Sequence, residues 1–103
     1  MQTQQITSGL AVTAMWEARD GEADAVADIL MRFAPEAQRE SGVRLFVVHR
    51  AVENPAQFLF YELFEDEAAF AAHQQTPHFK SLILGEGVPR LVRRERVQYR
   101  VLA

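Results

Sequence analysis

The 103-residue sequence contains no cysteine. Without a thiol, the chain forms no disulfide, has no thiolate nucleophile and offers no cysteine ligand to zinc or an iron–sulfur cluster. It also has no run of about 18 uncharged apolar residues, so no membrane-spanning helix is predicted. The first eight residues are polar and show neither region of a secretion signal. We therefore expect a soluble, cytoplasmic protein with no membrane partner.

Basic charge is scarce, because 11 basic residues face 14 acidic ones and the net charge is −3. Non-specific binding to phosphates requires a net basic surface, so no nucleic-acid partner is predicted. The arginines near the end of the chain alternate with apolar residues, which is typical of a strand with one solvated face. These arginines are Arg90, Arg93, Arg94, Arg96 and Arg100.

Hydrophobic periodicity predicts four strands and two main helices in the order β-α-β-β-α-β. The predicted strands are 10–18, 43–52, 57–65 and 90–102, and the turn cluster at 53–56 makes the middle pair a hairpin. Apolar residues at helical spacing predict the first helix over 23–37, with Asp20 as its N-cap and Gly42 as its stop. Pro35 predicts a kink or break inside that helix.

The second helical region is predicted in two short pieces. Asp66 is expected to cap a helix that ends near Gln74, and the Thr76-Pro77 pair is expected to begin another that stops at Gly85. Residues 85–89 then read as a loop before the last strand. Gly85 and Gly87 follow a helix instead of preceding one, so they do not predict a phosphate-binding loop.

This order of elements is the ferredoxin-like split βαβ arrangement, an α+β fold with a four-stranded antiparallel sheet. We expect one such domain over residues 10–103, preceded by a flexible N-terminal segment at 1–9. The strands at 45–48 and 58–61 are apolar on both faces, whereas the helices cover one face only. A second copy of the sheet is the simplest cover for the other face, so a homodimer is predicted.

The sequence resembles the antibiotic biosynthesis monooxygenase family, whose members include quinol monooxygenases with a dimeric α+β barrel fold. The resemblance covers roughly residues 10–102. It is carried by spaced residues, which are Gly42, His49, Pro55, Phe58, Tyr61-Glu62, Asp66, Phe70, His73 and Thr76-Pro77-His78-Phe79. It implies a cofactor-independent monooxygenase whose partners are a small aromatic substrate, dioxygen and a second copy of the chain.

Haem-degrading relatives of this fold require an axial histidine and an asparagine, but the corresponding positions hold Ile83 and Ala14. Neither side chain donates to iron, so haem degradation is disfavoured. No three residues have the spacing of a metal site. The chain is therefore expected to use no cofactor and no metal. Where relatives often carry tryptophan after the Tyr-Glu pair, this chain has Phe64.

The candidate catalytic residues are His73, Glu62 and His49. Strand alternation puts Glu62 in a row of phenylalanines, where a carboxylate needs a polar partner. His73 on the following helix is the nearest candidate, so we assign His73 as base and Glu62 as the residue that orients it. A purely structural Glu62–His73 contact is an equally good interpretation. His49 is either a hydrogen-bond partner of the substrate or part of the dimer interface.

The residues expected to bind substrate are mainly aromatic, as is usual for pockets that hold flat organic molecules. They are Trp16, Phe58, Phe60, Tyr61, Phe64 and His78. The leading hypothesis is oxidation of a quinol, an anthrone or a similar electron-rich aromatic compound by dioxygen. The alternatives are a non-enzymatic dimeric binding or stress-response module, and an isomerase that uses the same base without oxygen.

Overall fold

The computed structural model describes residues 6–103. Its strands are β1 Leu10–Ala18, β2 Val43–Arg50, β3 Gln57–Phe64 and β4 Leu91–Arg100, and its α-helices are α1 Ala23–Gln38 and α2 Glu67–Gln75. A π-helical segment, Phe79–Gly87, and a 3₁₀ turn, Val88–Arg90, lead into β4. The predicted order of elements is confirmed. The flexible segment predicted at 1–9 lies partly outside the described residues.

The four strands form one antiparallel sheet in the order β2-β3-β1-β4, so β2 and β4 are its edges. This is the ferredoxin-like topology that the sequence predicts. No helix within residues 6–103 has both the length and the apolar character needed to cross a bilayer.

The main core lies between the sheet and the helices. Alternate residues of β1, such as Ala14 and Trp16, face this core, and so do Phe58 and Phe60 of β3. From the helical layer, α1 contributes Val26, Leu30 and Phe33, and the π-helical segment contributes Phe79 and Ile83. Several aromatic rings meet here, including Trp16 and Phe60, whose centroids are 5.0 Å apart.

No helix formed by residues 6–103 lies on the opposite face of the sheet, and we call this face the open face. Strand register places apolar side chains from all four strands on it. Five of the large ones are more than a third exposed, and these are Leu45, Leu59, Tyr61, Val97 and Tyr99. An apolar sheet face of this kind is expected to be covered by another surface.

Helix α1 differs from the prediction at both ends. It begins after Glu22, and no side chain caps it, so the predicted cap at Asp20 is wrong. It runs through Pro35 without a break and ends at Gln38, four residues before Gly42. Gly42 has a packing role instead, because a Cβ there would overlap the Ala69 side chain of α2.

The second helical region is confirmed at its start, since the Asp66 carboxylate accepts a hydrogen bond of 2.9 Å from the Ala69 amide. The loop predicted at 85–89 is wrong, because the π-helical segment continues to Gly87 and the 3₁₀ turn follows it. Packing explains the difference. A Cβ on Gly87 would lie 2.8 Å from the Trp16 ring, so this glycine lets the helical backbone rest directly on the indole.

Candidate active site

His73 lies on the inner face of α2, where its side chain is only 2% exposed. Four phenylalanine rings surround the imidazole with centroid distances between 5.3 and 5.8 Å, and these rings belong to Phe33, Phe46, Phe64 and Phe79. A buried polar ring in such surroundings requires hydrogen-bond partners. Its partners therefore determine what it can do.

The partner of His73 is Glu40, which follows α1. The Nδ1 atom of His73 lies 3.0 Å from each oxygen of the Glu40 carboxylate. The same carboxylate lies 2.7 Å from Nε2 of His78. A carboxylate only accepts hydrogen bonds, so His73 donates its Nδ1 proton and His78 donates its Nε2 proton. Glu40 thereby fixes the His73 tautomer and leaves the Nε2 lone pair of that ring available.

Glu62 lies on the other side of His73, on the helix-covered face of β3, as strand alternation predicts. Its Oε1 atom is 3.8 Å from Nε2 of His73, which is too far for a hydrogen bond. Glu62 is therefore next to His73 but does not orient it, and Glu40 takes that role. The assignment of Glu62 as orienting residue is corrected accordingly.

Burial sets the protonation states of Glu62 and His73. It raises the pKa of Glu62 to about 8, although the guanidinium groups of Arg96 and Arg94 act in the opposite direction. Burial also lowers the pKa of His73, against the effect of the Glu40 carboxylate. At neutral pH Glu62 is therefore mostly a neutral carboxylic acid and His73 a neutral imidazole. A proton donor and a proton acceptor thus face each other.

A cavity of about 20 Å³ adjoins Glu62 and His73. That volume holds about one water molecule. Its walls include Trp16, Phe60 and Phe79, and they also include Ala14 and Ile83, whose side chains have no metal-donating atom. No group of three or more potential metal ligands occurs within residues 6–103.

A wider groove of about 290 Å³ lies beside the cavity, between the helices and β4. The cavity and the groove share three wall residues, Phe79, Arg94 and Arg96, so they adjoin each other. The remaining walls of the groove are Gln74, Gln75 and Leu84. Small-molecule pockets usually begin at about 300 Å³, which is close to the size of this groove.

Four of the residues predicted to bind substrate lie in or beside this site. Trp16 and Phe60 line the cavity, Phe64 packs on His73, and His78 is bonded to Glu40. Phe58 is buried on the same face of β3 but lines a different groove, of about 400 Å³, between α1 and β2. It is therefore removed from the candidate site.

His49 and Tyr61 lie on the open face, away from the cavity. The hairpin register pairs His49 with Leu59 and Val47 with Tyr61, and all four share that face. The His49 ring donates from Nδ1 to the Leu59 carbonyl at 3.1 Å. Both residues were predicted in the substrate site, and both assignments are corrected. Of the two positions left open for His49, the structure places it on the face expected to form the dimer interface.

Glu40 was not predicted from the sequence. It lies 33 residues before His73, in a polar run that marks the end of a helix, and nothing in its neighbours distinguishes it from a solvated carboxylate. The one signal in the sequence is the pair of histidines on either side of the Thr-Pro turn, because each needs a hydrogen-bond partner if it is buried.

Together, the ferredoxin-like sheet and a buried acid–imidazole pair under its helices define a small α+β protein with a candidate catalytic cavity. Residues 9–83, well over half of the chain, match the family model described as antibiotic biosynthesis monooxygenase. The chain belongs to this family, as the sequence resemblance indicates.

Solved structures show the same fold. PA3566 from Pseudomonas aeruginosa is 26% identical with a TM-score of 0.85, over 97% of this chain and 100% of that one. Rv0793 from Mycobacterium tuberculosis is 18% identical with a TM-score of 0.85, over 93% and 97%. A protein named antibiotic biosynthesis monooxygenase is 20% identical with a TM-score of 0.80, over 91% and 97%.

Proposed function

We propose that this chain is a cofactor-independent monooxygenase that oxidises a quinol, an anthrone or a similar electron-rich aromatic compound with dioxygen. Family membership supports monooxygenase chemistry in general. The observation that carries the specific proposal is a neutral His73, oriented by Glu40, whose free Nε2 faces a cavity large enough for one oxygen atom. The cysteine-free composition supports a cytoplasmic location.

The sizes of the two spaces suggest how substrate binds. The cavity of about 20 Å³ accepts a single hydroxyl or carbonyl oxygen, whereas the adjoining groove of about 290 Å³ accepts an aromatic ring. In this arrangement the substrate oxygen lies between Glu62 and His73. The 3.8 Å gap between their polar atoms is then bridged by that oxygen, with a hydrogen bond to each.

His73 acts as the base, because its Nε2 accepts the proton of the substrate hydroxyl or enol. Glu62, as a neutral acid, donates a hydrogen bond to the resulting oxyanion. The anion transfers one electron to dioxygen, and the radical pair combines at carbon to form a peroxide. Loss of water then gives the quinone. For an anthrone, the ring CH₂ becomes C=O, one oxygen atom enters the product and the other leaves as water.

The test is oxygen uptake by purified protein, without added cofactor and after treatment with a metal chelator. A panel of hydroquinones and anthrones should include at least one compound that consumes oxygen and forms the corresponding quinone in equal amounts. One labelled oxygen atom from ¹⁸O₂ should appear in the product. Uptake no faster than in buffer across the panel would contradict the proposal.

A binding module is the second candidate, and the small size of the cavity favours it. A cavity that holds one water molecule already excludes bulk solvent and leaves little space for a reacting ring. If this is the function, members of the same panel bind in the groove without consuming oxygen. Parallel measurements of binding and oxygen uptake therefore separate the two functions.

We also propose that a second copy of the chain covers the open face. The exposed apolar side chains there come from β2, β3 and β4, and these strands include both edges of the sheet, so the surface extends across it. A two-fold axis lets identical patches cover one another. Light scattering should give about twice 11.7 kDa. A monomer at micromolar concentration would contradict this arrangement.

A further inference from the structure

Arg94 and Arg96 are two residues apart on β4, so both side chains extend to the helix-covered face of this edge strand. No carboxylate within residues 6–103 lies within 4 Å of either guanidinium group. Arg93 and Arg100 on the same strand do form ion pairs, with Glu95 and Glu67. Among the arginines of β4, the two without an ion pair are therefore the two that line the groove.

The positions of Arg94 and Arg96 also indicate a role in ligand binding. Arg94 and Arg96 are the charged residues that line both the cavity and the groove. Glu62 lines the cavity only. Arg96 is held in place by the Phe70 ring, whose centroid is 5.6 Å from its guanidinium carbon. Arg94 and Arg96 are both exposed to solvent, and partial desolvation together with the nearby charge of Arg96 lowers the pKa of Arg94. Two like charges held together without an anion are unfavourable.

We infer that the groove binds an aromatic compound bearing an anionic substituent, with Arg94 and Arg96 holding that substituent while the ring hydroxyl reaches Glu62 and His73. The inference adds a substrate class to the proposed function. It rests on that function for the reaction, but not for the binding. A ring carboxylate is the smallest suitable anion, because a guanidinium group matches its two oxygens. Arg94 and Arg96 then select the substrate, and His73 and Glu62 act on it.

The inference also accounts for the shape of the site. A neutral ring would meet Phe79 and Leu84 along one wall of the groove, but it would form no hydrogen bond or ion pair with the two guanidinium groups that also line the groove. A carboxylate beside the hydroxyl can form both. Aromatic compounds of this class include hydroxynaphthoates and anthraquinone-type carboxylic acids.

The experiment compares two ligands of nearly the same shape, 1-hydroxy-2-naphthoate and 1-hydroxy-2-naphthamide, by titration calorimetry without oxygen. Wild-type protein should bind the carboxylate about 10- to 100-fold more tightly than the amide, the range expected for hydrogen bonds to a charged group. The double variant Arg94→Gln/Arg96→Gln should lose this preference. Its affinity for the amide should stay within about twofold.

The control is Arg44→Gln, which removes one positive charge, half of the change in the double variant, from β2 at the opposite edge of the sheet. It should keep the preference for the carboxylate. Equal binding of the two ligands to wild type, no binding of either, or a preference that survives in the double variant would each overturn the inference. A similar loss in Arg44→Gln would also overturn it, because it would show an effect of net charge alone.

Binding and reaction are measured separately, so their failures are distinguishable. Wild-type protein that prefers the carboxylate but consumes no oxygen with any quinol supports the anion site and contradicts the monooxygenase. Protein that oxidises neutral and anionic quinols equally well, with no binding preference, supports the monooxygenase and overturns the anion site. A short single-stranded oligonucleotide in place of the naphthoate should show no binding that depends on Arg94 and Arg96.

Discussion

The two faces of the sheet use neighbouring residues of the same strands in opposite ways. On β3, Phe58, Phe60 and Glu62 are at most 5% exposed, whereas Leu59 and Tyr61 between them are 45% and 37% exposed. Both sets are largely apolar, so the difference in exposure comes from the helices that cover one face of the sheet and not from residue composition. The covered face holds the acid–imidazole pair, and the open face holds the surface proposed for assembly. Chemistry and assembly should therefore respond to different substitutions.

The largest expected effect separates two histidines on opposite faces. His73→Ala removes the proposed base and should lower substrate-dependent oxygen uptake by about 10²- to 10⁴-fold. His49→Ala removes an imidazole from the open face and should leave the rate per folded protein nearly unchanged. Oxygen uptake and circular dichroism on both variants make the comparison. Full activity in a folded His73→Ala protein would eliminate His73 as the base.

The next effect concerns assembly. Leu59→Arg places a charge in the middle of the open face and should weaken the dimer by about 100-fold or more, because the charge is buried without a partner. Met31→Arg is the control, since Met31 is 76% exposed on α1. Analytical ultracentrifugation should show a monomer for the first variant and a dimer for the second. A Leu59→Arg protein that remains a tight dimer would place the interface elsewhere.

Glu62→Gln tests the protonation of Glu62 on the covered face through the pH dependence of stability. The pKa of Glu62 is near 4.5 when unfolded and about 8 when folded, so the folded protein retains a proton between these values. The unfolded chain loses this proton as pH rises through the window, whereas the folded chain keeps it. The free energy of unfolding of the wild type therefore falls with rising pH, by an order of a few kcal/mol. Gln cannot ionise. The stability of the variant relative to wild type should rise with pH.

Urea unfolding at the two ends of that window measures this difference. His73 acts in the opposite direction, because its lowered pKa destabilises the fold as pH falls below about 6.5. It is present in both proteins, so comparing variant with wild type isolates Glu62. Glu65→Gln, at an exposed position just after β3, serves as control and should show no such trend. A flat difference for Glu62→Gln would show that its carboxyl is not held neutral.

The smallest expected effect comes from Glu40→Gln. The amide is uncharged and has one accepting oxygen instead of two, so both histidines must share that oxygen while the new NH₂ group, itself a donor, lies beside the His73 Nδ1 proton. The free energy of unfolding should fall by about 1 to 3 kcal/mol. Oxygen uptake should also fall, since the Nδ1 proton of His73 is no longer held. Glu36→Gln, at an exposed position on α1, is the control. Unchanged stability and rate would remove Glu40 from the site.

Much of the fold could be predicted from the sequence because the strands alternate clearly. The predicted bounds of β1 agree with the structure residue for residue. On β4 the arginines alternate with apolar residues as predicted, but Arg94 and Arg96 lie on the helix-covered face of the sheet. The helical region before β4 was harder to predict. Gly85 and Gly87 suggest a loop locally, but contact with Trp16 keeps the chain helical there. Tertiary packing overrides local preference in such cases.

The site was predicted only in part. His73 and Glu62 could be predicted because a polar residue among aromatic ones is unusual within a single strand or helix. His49 was misplaced because the face of β2 depends on the hairpin register, and that register shifts at a bulge between Val43 and Leu45. Tyr61 alternates with Glu62 along β3, so strand alternation alone places it on the opposite face. Glu40 was missed because its importance depends on a contact between distant parts of the chain.

The close approach of Gly42 to Ala69 has a consequence for how the site can be observed in solution. Helix α2 has nine residues, too few to be stable by itself in water, so its hydrogen bonds persist only while it is docked. Gly42 permits that docking next to Glu40, and His73 completes it. Amide hydrogen exchange in α2 should therefore slow when a ligand enters the groove, which makes this helix a label-free reporter of occupancy.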